Sequence, residues 1–427
     1  FHRESIRKKL LPLVRVAQTL AQKYDVVVTN PPYMGASNMN SDLSEYVKKY
    51  YPDSKSDLFA VFIEVCSRMA KQNGYQAMIT QHAWMFLSSF EKLREKMMLT
   101  ETVSMAHLGA RAFEEIGGEV VQTTSFVRVR THIDNYKGVY CRLIEPTTQQ
   151  GKEDMFLAGE NGYVANQDNF AKIPGCPVAY WIPNSAVNAF ETGHFVGTTK
   201  KGILTGNTNR FLRMWSEVNI SKVNFAATSY EDMLNSASKW YPLTSGGQFR
   251  RWYGNLFYVI DMENDASNIK LSGGNIRLRD PAFYCREAIT WTQISFTKFS
   301  CRYVPGGVLY GDGGPVCFFN DNLLFYLAIL NSTVGQYFLN ILSPCTNYGP
   351  DQVKIMPVLL RKTKEIEHIS SECQSLSHTD WDSFETSWDF TRHPFIKAIT
   401  KYPNMMDIGN IYLAECYDIW AGECEER

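Results

Sequence analysis

Apolar positions in the first 145 residues alternate between two periods. Leu10, Leu11, Val14, Leu20 and Ala21 recur at helical spacing, with Arg7, Lys8, Lys9 and Arg15 between them, and predict an opening helix. Residues 25–29 are a short β-branched run, the pattern of a buried parallel strand. The run ends at Asn30-Pro31-Pro32-Tyr33, where two prolines forbid its continuation. Residues 57–72 predict an amphipathic helix: Asp57 can cap it, Leu58, Val61, Phe62, Val65 and Met69 line one face, and Asn73-Gly74 stops it. Residues 75–80, 103–108 and 120–130 read as strands, with a helix over 90–99 between the first two. Strands alternating with helices predict an α/β sheet.

The alternation dissolves at 146–151 into polar turn residues. Residues 160–360 are rich in Gly, Trp, Tyr and Asn and hold short strand-like runs with few long helices, so a second domain of α+β character is expected. Arg361-Lys362-Thr363-Lys364 forms a short basic joint before an acidic region. These marks divide the chain into residues 1–147, 148–360 and 361–427. The chain opens at Phe1 inside a helical pattern, and the expectation is a piece of a longer protein.

Charge changes this outline. The whole chain balances at 43 − 44 = −1, which excludes a uniformly basic coat. Residues 196–310 carry 14 Lys/Arg against 8 Asp/Glu (14 − 8 = +6), and residues 351–427 carry 8 against 14 (8 − 14 = −6). A basic middle domain is therefore hidden behind the neutral total. The best apolar run, residues 323–330, is far short of the ~18 residues of a membrane span, so no membrane partner is expected. The ten cysteines form no CxxC pair and no cluster with histidine, which argues against a zinc site and for a reducing cytoplasm. No metal site is expected.

Asn30-Pro31-Pro32-Tyr33 after an apolar strand is the sharpest feature; its chance occurrence in a chain this long is about one in a thousand. The exocyclic amine of a nucleobase is a poor nucleophile, because its lone pair is spread into the ring. The Asn30 amide oxygen and the Pro31 carbonyl can each accept one N–H, which favours a pyramidal nitrogen with its lone pair free. The prolines hold the turn and have no N–H to compete, and Tyr33 offers a face on which an extruded base can stack. A sulfonium methyl donor brings its own leaving group, so positioning is most of the catalysis.

Residues 25–33 resemble motif IV of the S-adenosylmethionine-dependent amino-methyltransferases, in the form that points to adenine N6. Asp57-Leu58-Phe59-Ala60, the strand over 75–80, His107-Leu108-Gly109 and residues 120–129 resemble later motifs of the same catalytic domain. The resemblance implies Asn30, Pro31, Pro32 and Tyr33 as the catalytic residues, Phe113 as a second aromatic on the target base, and S-adenosylmethionine as cofactor. The family's donor-binding glycine motif lies on a strand ahead of motif IV. Only about 24 residues precede Asp25, and neither Gly117-Gly118 nor Gly273-Gly274 replaces it. The fold expected is thus the C-terminal half of a Rossmann-like methyltransferase sheet followed by an α+β target-recognition domain, a fragment inactive by itself.

In the middle domain three segments combine glycine, cations and aromatics: 201–210, 239–255, and Arg302-Tyr303 with Gly311 to Gly314. Glycine turns admit phosphates, cations neutralise them, and amides and guanidinium groups read base edges. Lys201, Thr205, Asn207, Arg210, Lys239, Arg250, Arg251 and Arg302 are the DNA-binding candidates. Residues 205–210, 239–255, 290–291, 331–357 and the stretch from Asp380-Trp381-Asp382 to His393-Pro394 resemble the large adenine methyltransferases of BREX phage defence, with fused restriction-modification methyltransferases as relatives. That resemblance implies double-stranded DNA as partner, other phage-defence proteins as further candidates, and a site-specific DNA adenine-N6 methyltransferase. Three alternatives stay open: a fused type IIG restriction-modification enzyme, a DNA-binding specificity module without catalysis, and a glutamine methyltransferase acting on protein. No carboxylate cluster of a nuclease is evident; Glu423, Glu425 and Glu426 read as a solvated run.

Overall fold

The computed structural model describes residues 2–113, 121–295, 297–343, 347–394, 396, 417–418 and 420–422. They fall in two compact units, Phe1–Thr192 and Gly193–Arg427.

In the first unit the helical pattern at the start forms α1 (His2–Ala21), and the β-branched run forms β1 (Tyr24–Thr29). α2 (Ser41–Tyr50) and α3 (Leu58–Met69) follow, then β2 (Ala70–Gln81), α4 (Glu91–Met97), β3 (Glu101–Gly109), β4 (Thr123–Val129), β5 (Gly138–Arg142), α5 (Gln149–Leu157), β6 (Gly162–Ala165) and α6 (Asn184–Thr192). Six strands make one sheet in the order β1-β2-β4-β3-β5-β6. β1 and β2 are parallel, β3 and β5 are parallel, and β4 runs antiparallel between β2 and β3. Four carboxyl ends, those of β1, β2, β3 and β5, therefore share one edge.

α3 is helical for the reason its sequence shows. Asp57 caps it, accepting from the Phe59 N–H at 3.3 Å, and Phe59, Ala60, Ile63 and Cys66 are buried against Met78, Trp84, Met85 and Phe126. It ends at Met69, three residues short of expectation, because residues 70–74 already belong to β2, with Asn73 at a φ of 61°. β1 is parallel as expected but not buried. It is the sheet edge, with Val26 55% and Val28 71% exposed. The strand expected over 120–130 is β4; Val120, like Gly117-Gly118, lies outside the described residues.

The compact units divide at 192–193, not at the expected 147–148. The polar stretch after β5 is anchored to the first unit by buried hydrogen bonds. β6 pairs with β5. Arg94, 1% exposed, donates to the carbonyls of Gly175, Trp84 and Leu87. Gln167 accepts from the Thr102 N–H and donates to the Thr100 carbonyl.

The second unit contains β7 (Thr198–Lys200), α7 (Thr208–Phe211), β8 (Leu212–Met214), α8 (Tyr230–Asn235), β9 (Trp240–Thr244), β10 (Tyr258–Asp261), α9 (Glu263–Lys270) and β11 (Ala288–Trp291). β12 (Cys301–Val304), β13 (Leu309–Tyr310), β14 (Val316–Phe318) and the helices α10 (Leu323–Asn331), α11 (Thr333–Leu342), α12 (Pro350–Lys354) and α13 (Thr363–Trp381) complete it. Two four-stranded sheets, β13-β9-β10-β8 and β12-β11-β14-β7, make it α+β as expected. The joint at 361 does not separate a further domain: α13 packs on α10, and Trp381 is buried in the core with Tyr253 and Leu256. No helix of the described residues is long and apolar enough to cross a membrane.

Candidate active site

The chemistry-bearing turn sits at the carboxyl end of β1, the position at which open α/β sheets bind ligands. Asn30 is exposed, Pro31 buried, Pro32 exposed and Tyr33 half-buried. The chain beyond the turn is clamped to the start of α3. Met34 donates its N–H to Asp57 Oδ1 at 3.0 Å, and its carbonyl accepts from Leu58 at 3.0 Å. Ala36 donates to the Ser56 carbonyl at 3.0 Å. Asp57 thus caps a helix and holds the reactive turn with the same carboxylate. Burial raises its pKa, while the amides of Phe59, Met34 and Leu58 pull it back.

Tyr33 meets Phe59 edge to face, ring centres 6.1 Å apart. Its hydroxyl is buried without a hydrogen-bond partner among the described residues, and burial raises the phenol pKa. The ring paired with Tyr33 is Phe59, not Phe113. Phe113 lies half-buried beyond the carboxyl end of β3, on the same sheet edge, and no ring contact joins it to Tyr33.

The same edge joins two histidines that the sequence suggests only as separate structural or strand-end residues. His82, after β2, and His107, on β3, share a hydrogen bond of 2.8 Å from Nδ1 to Nε2. His107 Nδ1 lies 3.2 Å from the Tyr180 hydroxyl. Burial pushes His82 down to about 4. Burial, helped by the charges of His82, Arg142 and Lys152, pushes His107 down to about 3. Both rings are neutral at pH 7. Phe86 packs on both, Trp181 packs on Phe86, and Arg142 lies 5.0 Å over the Trp181 ring. Lys152 closes the strand ends beside them, its Nζ donating to the Leu108 and Leu143 carbonyls at 2.6 Å each. Residues at helix starts and strand ends far apart in sequence built this cluster, so periodicity gave no sign of it.

The described residues bring the Asn30 amide, the Pro31 carbonyl and the Tyr33 ring together on one turn at the carboxyl end of β1. Gly109, at the end of β3, has the positive φ of a phosphate-type turn (65°), but a Cβ there would sit 3.0 Å from Ile144, so chain rather than ligand occupies that approach.

The DNA-binding candidates of the second unit separate by exposure. Lys201, Asn207, Arg210 and Arg251 are exposed, with Asn207 capping α7 by accepting from the Arg210 N–H. Lys239 is engaged, its Nζ 3.2 Å from Asp261 and 3.0 Å from Glu263. Arg250 pairs with Asp380, stacks on Trp381 and donates Nε–H to the Tyr253 carbonyl. Thr205 is 3% exposed and Arg302 fully buried, so neither meets the expectation of a phosphate contact. Glycine-rich segments brought these residues to attention, but β12 carries Arg302 inward, and Lys239, just ahead of β9, is drawn into ion pairs.

Comparison with known proteins adds a family. Residues 4–109 match the family model described as Eco57I restriction-modification methylase. The chain is 40% identical over 437 aligned residues to the adenine-specific methyltransferase PglX of Lacticaseibacillus casei (strain Zhang), an alignment covering 98% of this chain and 36% of that protein. It is 40% identical over 396 residues to the adenine-specific methyltransferase BrxX of Escherichia coli O9:H4 (strain HS), covering 91% of this chain and 32% of that protein. Over nearly its whole length the chain is thus similar to a part of the PglX and BrxX proteins. It spans about a third of the length of these curated relatives. Among solved structures, the type IIL restriction-modification enzyme MmeI in complex with DNA superposes with a TM-score of 0.53 at 10% identity, over 92% of this chain and 53% of that one. This chain and the matched half of MmeI therefore share a fold.

Proposed function

We propose that this PglX/BrxX-family chain carries the acceptor side and the DNA-recognising part of a site-specific DNA adenine-N6 methyltransferase. The observation that carries the reading is Asn30-Pro31-Pro32-Tyr33 at the carboxyl end of β1, held there by Asp57. Asn30 Oδ1 accepts one N6–H of an extruded adenine and the Pro31 carbonyl accepts the other, which leaves the nitrogen lone pair free to form the new N–C bond. Tyr33 stacks on the base, and Phe113 is the candidate for its other side. S-adenosylmethionine, when bound, supplies an electrophilic methyl group. The proton lost from N6 passes to solvent, since Asn30 is exposed.

Double-stranded DNA is the proposed partner of the second unit, through Lys201, Asn207, Arg210 and Arg251. The fold shared with MmeI, solved in complex with DNA, supports it. The family supports a role in cytoplasmic phage defence, where the methyl group marks self DNA.

The test is the methylome of cells carrying the gene that encodes this chain, wild type beside Asn30→Ala. The expected result is N6-methyladenine at one short sequence in the wild type and none in the variant, with DNA binding retained. Equal methylation in both overturns the assignment of Asn30, and loss of both activities makes Asn30 a structural residue.

A further inference from the structure

The second unit has a cleft of about 720 Å³, lined by residues of α7–β8 and of the loop that follows β9. Thr208, Asn209 and Arg213 form one wall, Gln248 stands on the other, and Phe257 and Tyr258 lie between them. The Gln248 wall is rigid for reasons visible in its glycines. Gly246 and Gly247 have φ of 79° and 129°, a Cβ on Gly246 would meet the Gly313 carbonyl at 2.8 Å, and one on Gly247 would meet Asn255 Nδ2 at 2.8 Å. Asn255 Nδ2 donates to the Gln248 carbonyl at 2.9 Å, and Thr292 Oγ1 donates to the Gly247 carbonyl at 2.9 Å. The opposite wall is tied by Arg213, whose Nη1 donates to the carbonyls of Leu212 and Asn209.

The side-chain amides of Asn209 and Gln248 are exposed, and no hydrogen bond to a described residue engages them. Two free amides thus line one cleft whose backbone is fixed on both sides, while its carboxylate, Glu217, accepts from the Met214 N–H. A phosphate offers only acceptors and is met best by cations; the one cation lining this cleft already spends Nη1 on the wall. An amide offers one donor and one acceptor side by side, the complement of adenine N7 and N6–H in the major groove. The half-buried rings of Phe257 and Tyr258 give the cleft an apolar floor, suited to the thymine methyl.

We propose that this cleft reads the major-groove edges of A·T pairs, with Gln248 and Asn209 as specificity-determining residues. The inference rests on the DNA reading above and adds which side chains choose the sequence. The test is selection from a random duplex pool by the 427-residue chain, wild type beside Gln248→Ala and Asn209→Ala, with circular dichroism to establish that each variant is folded. The wild type is expected to enrich one short motif. Each variant should keep that motif but lose the preference at one A·T position, a different one for each, by about 5- to 150-fold. An unchanged motif in both variants overturns the cleft, and so does uniform weakening at every position. A wild type that enriches no duplex overturns the cleft and the DNA partner together. Failure of the methyltransferase reading is separate: it shows as an enriched motif that carries no N6-methyladenine in cells.

Discussion

Arg250 and Arg251 are adjacent in sequence, yet only Arg251 keeps its guanidinium in water. Arg250 is committed to Asp380 and Trp381, so Arg250→Ala should lower stability by about 1–2 kcal/mol through lost packing and a half-exposed ion pair. Arg251→Ala should leave stability within about 0.5 kcal/mol and reduce the salt slope of DNA binding by about 1. Urea midpoints and binding isotherms at several salt concentrations separate the two. The histidine pair makes a pH prediction. His82 and His107 stay neutral in the fold down to about 4 and about 3, whereas an unfolded histidine protonates near 6.5. As pH falls below 6.5 the unfolded state takes up protons that the fold refuses, so stability drops by about 1.4 kcal/mol per pH unit for each histidine until the folded pKa is reached. A His82→Asn, His107→Gln double variant should flatten urea midpoints between pH 6 and 4; an unchanged slope would assign the acid sensitivity to other groups. At this scale the sequence was informative where a residue's meaning is local. Asn30 and Tyr33 could be read from a four-residue turn, but the burial of Arg302 depends on strand β12 being enclosed on both faces, which no local pattern records.

Among the elements, the start and buried face of α3 were legible because its cap and apolar stripe are continuous in sequence, whereas its end was read three residues too late. What the sequence hid was the second duty of Asp57, a contact with Met34 across 23 residues. Asp57→Ala should therefore cost more than the ~1 kcal/mol of an ordinary N-cap. Asp57→Ser, which restores a cap but shortens the reach, should recover helix stability without recovering methylation. Thermal unfolding beside the methylome would test this, and full recovery of both by serine would reduce Asp57 to a cap. β1 was read correctly as parallel and wrongly as buried, since a run of valines is equally compatible with a central strand and with an edge strand whose outer side chains are bare. α1 poses the same ambiguity: its helical spacing is real, yet Leu10, Val14 and Leu20 are all at least half exposed. Periodicity reports the element; it cannot report what the element meets. The domain limits failed for a related reason. The polar turn residues at 146–151 read as a boundary, yet a few buried polar side chains, Arg94 and Gln167 foremost, hold the chain beyond them to the first unit.

Across the whole molecule, a net charge of −1 coexists with a +6 stretch between residues 196 and 310. Of the cations expected to meet DNA there, Lys201, Arg210 and Arg251 remain exposed. Three phosphate contacts predict a slope of about −3 for the logarithm of the binding constant against that of salt. A flat salt response would remove the second unit from the backbone contacts. The order of strands in the first sheet has a consequence in time as well. Among the described residues β1 has one neighbour, β2, and two parallel strands by themselves are not a stable sheet. β2 gains its second neighbour only when β4 is made and turns back between β2 and β3. Among these strands, the pairing that braces the turn bearing Asn30 is therefore completed, during synthesis, by a strand about a hundred residues behind it.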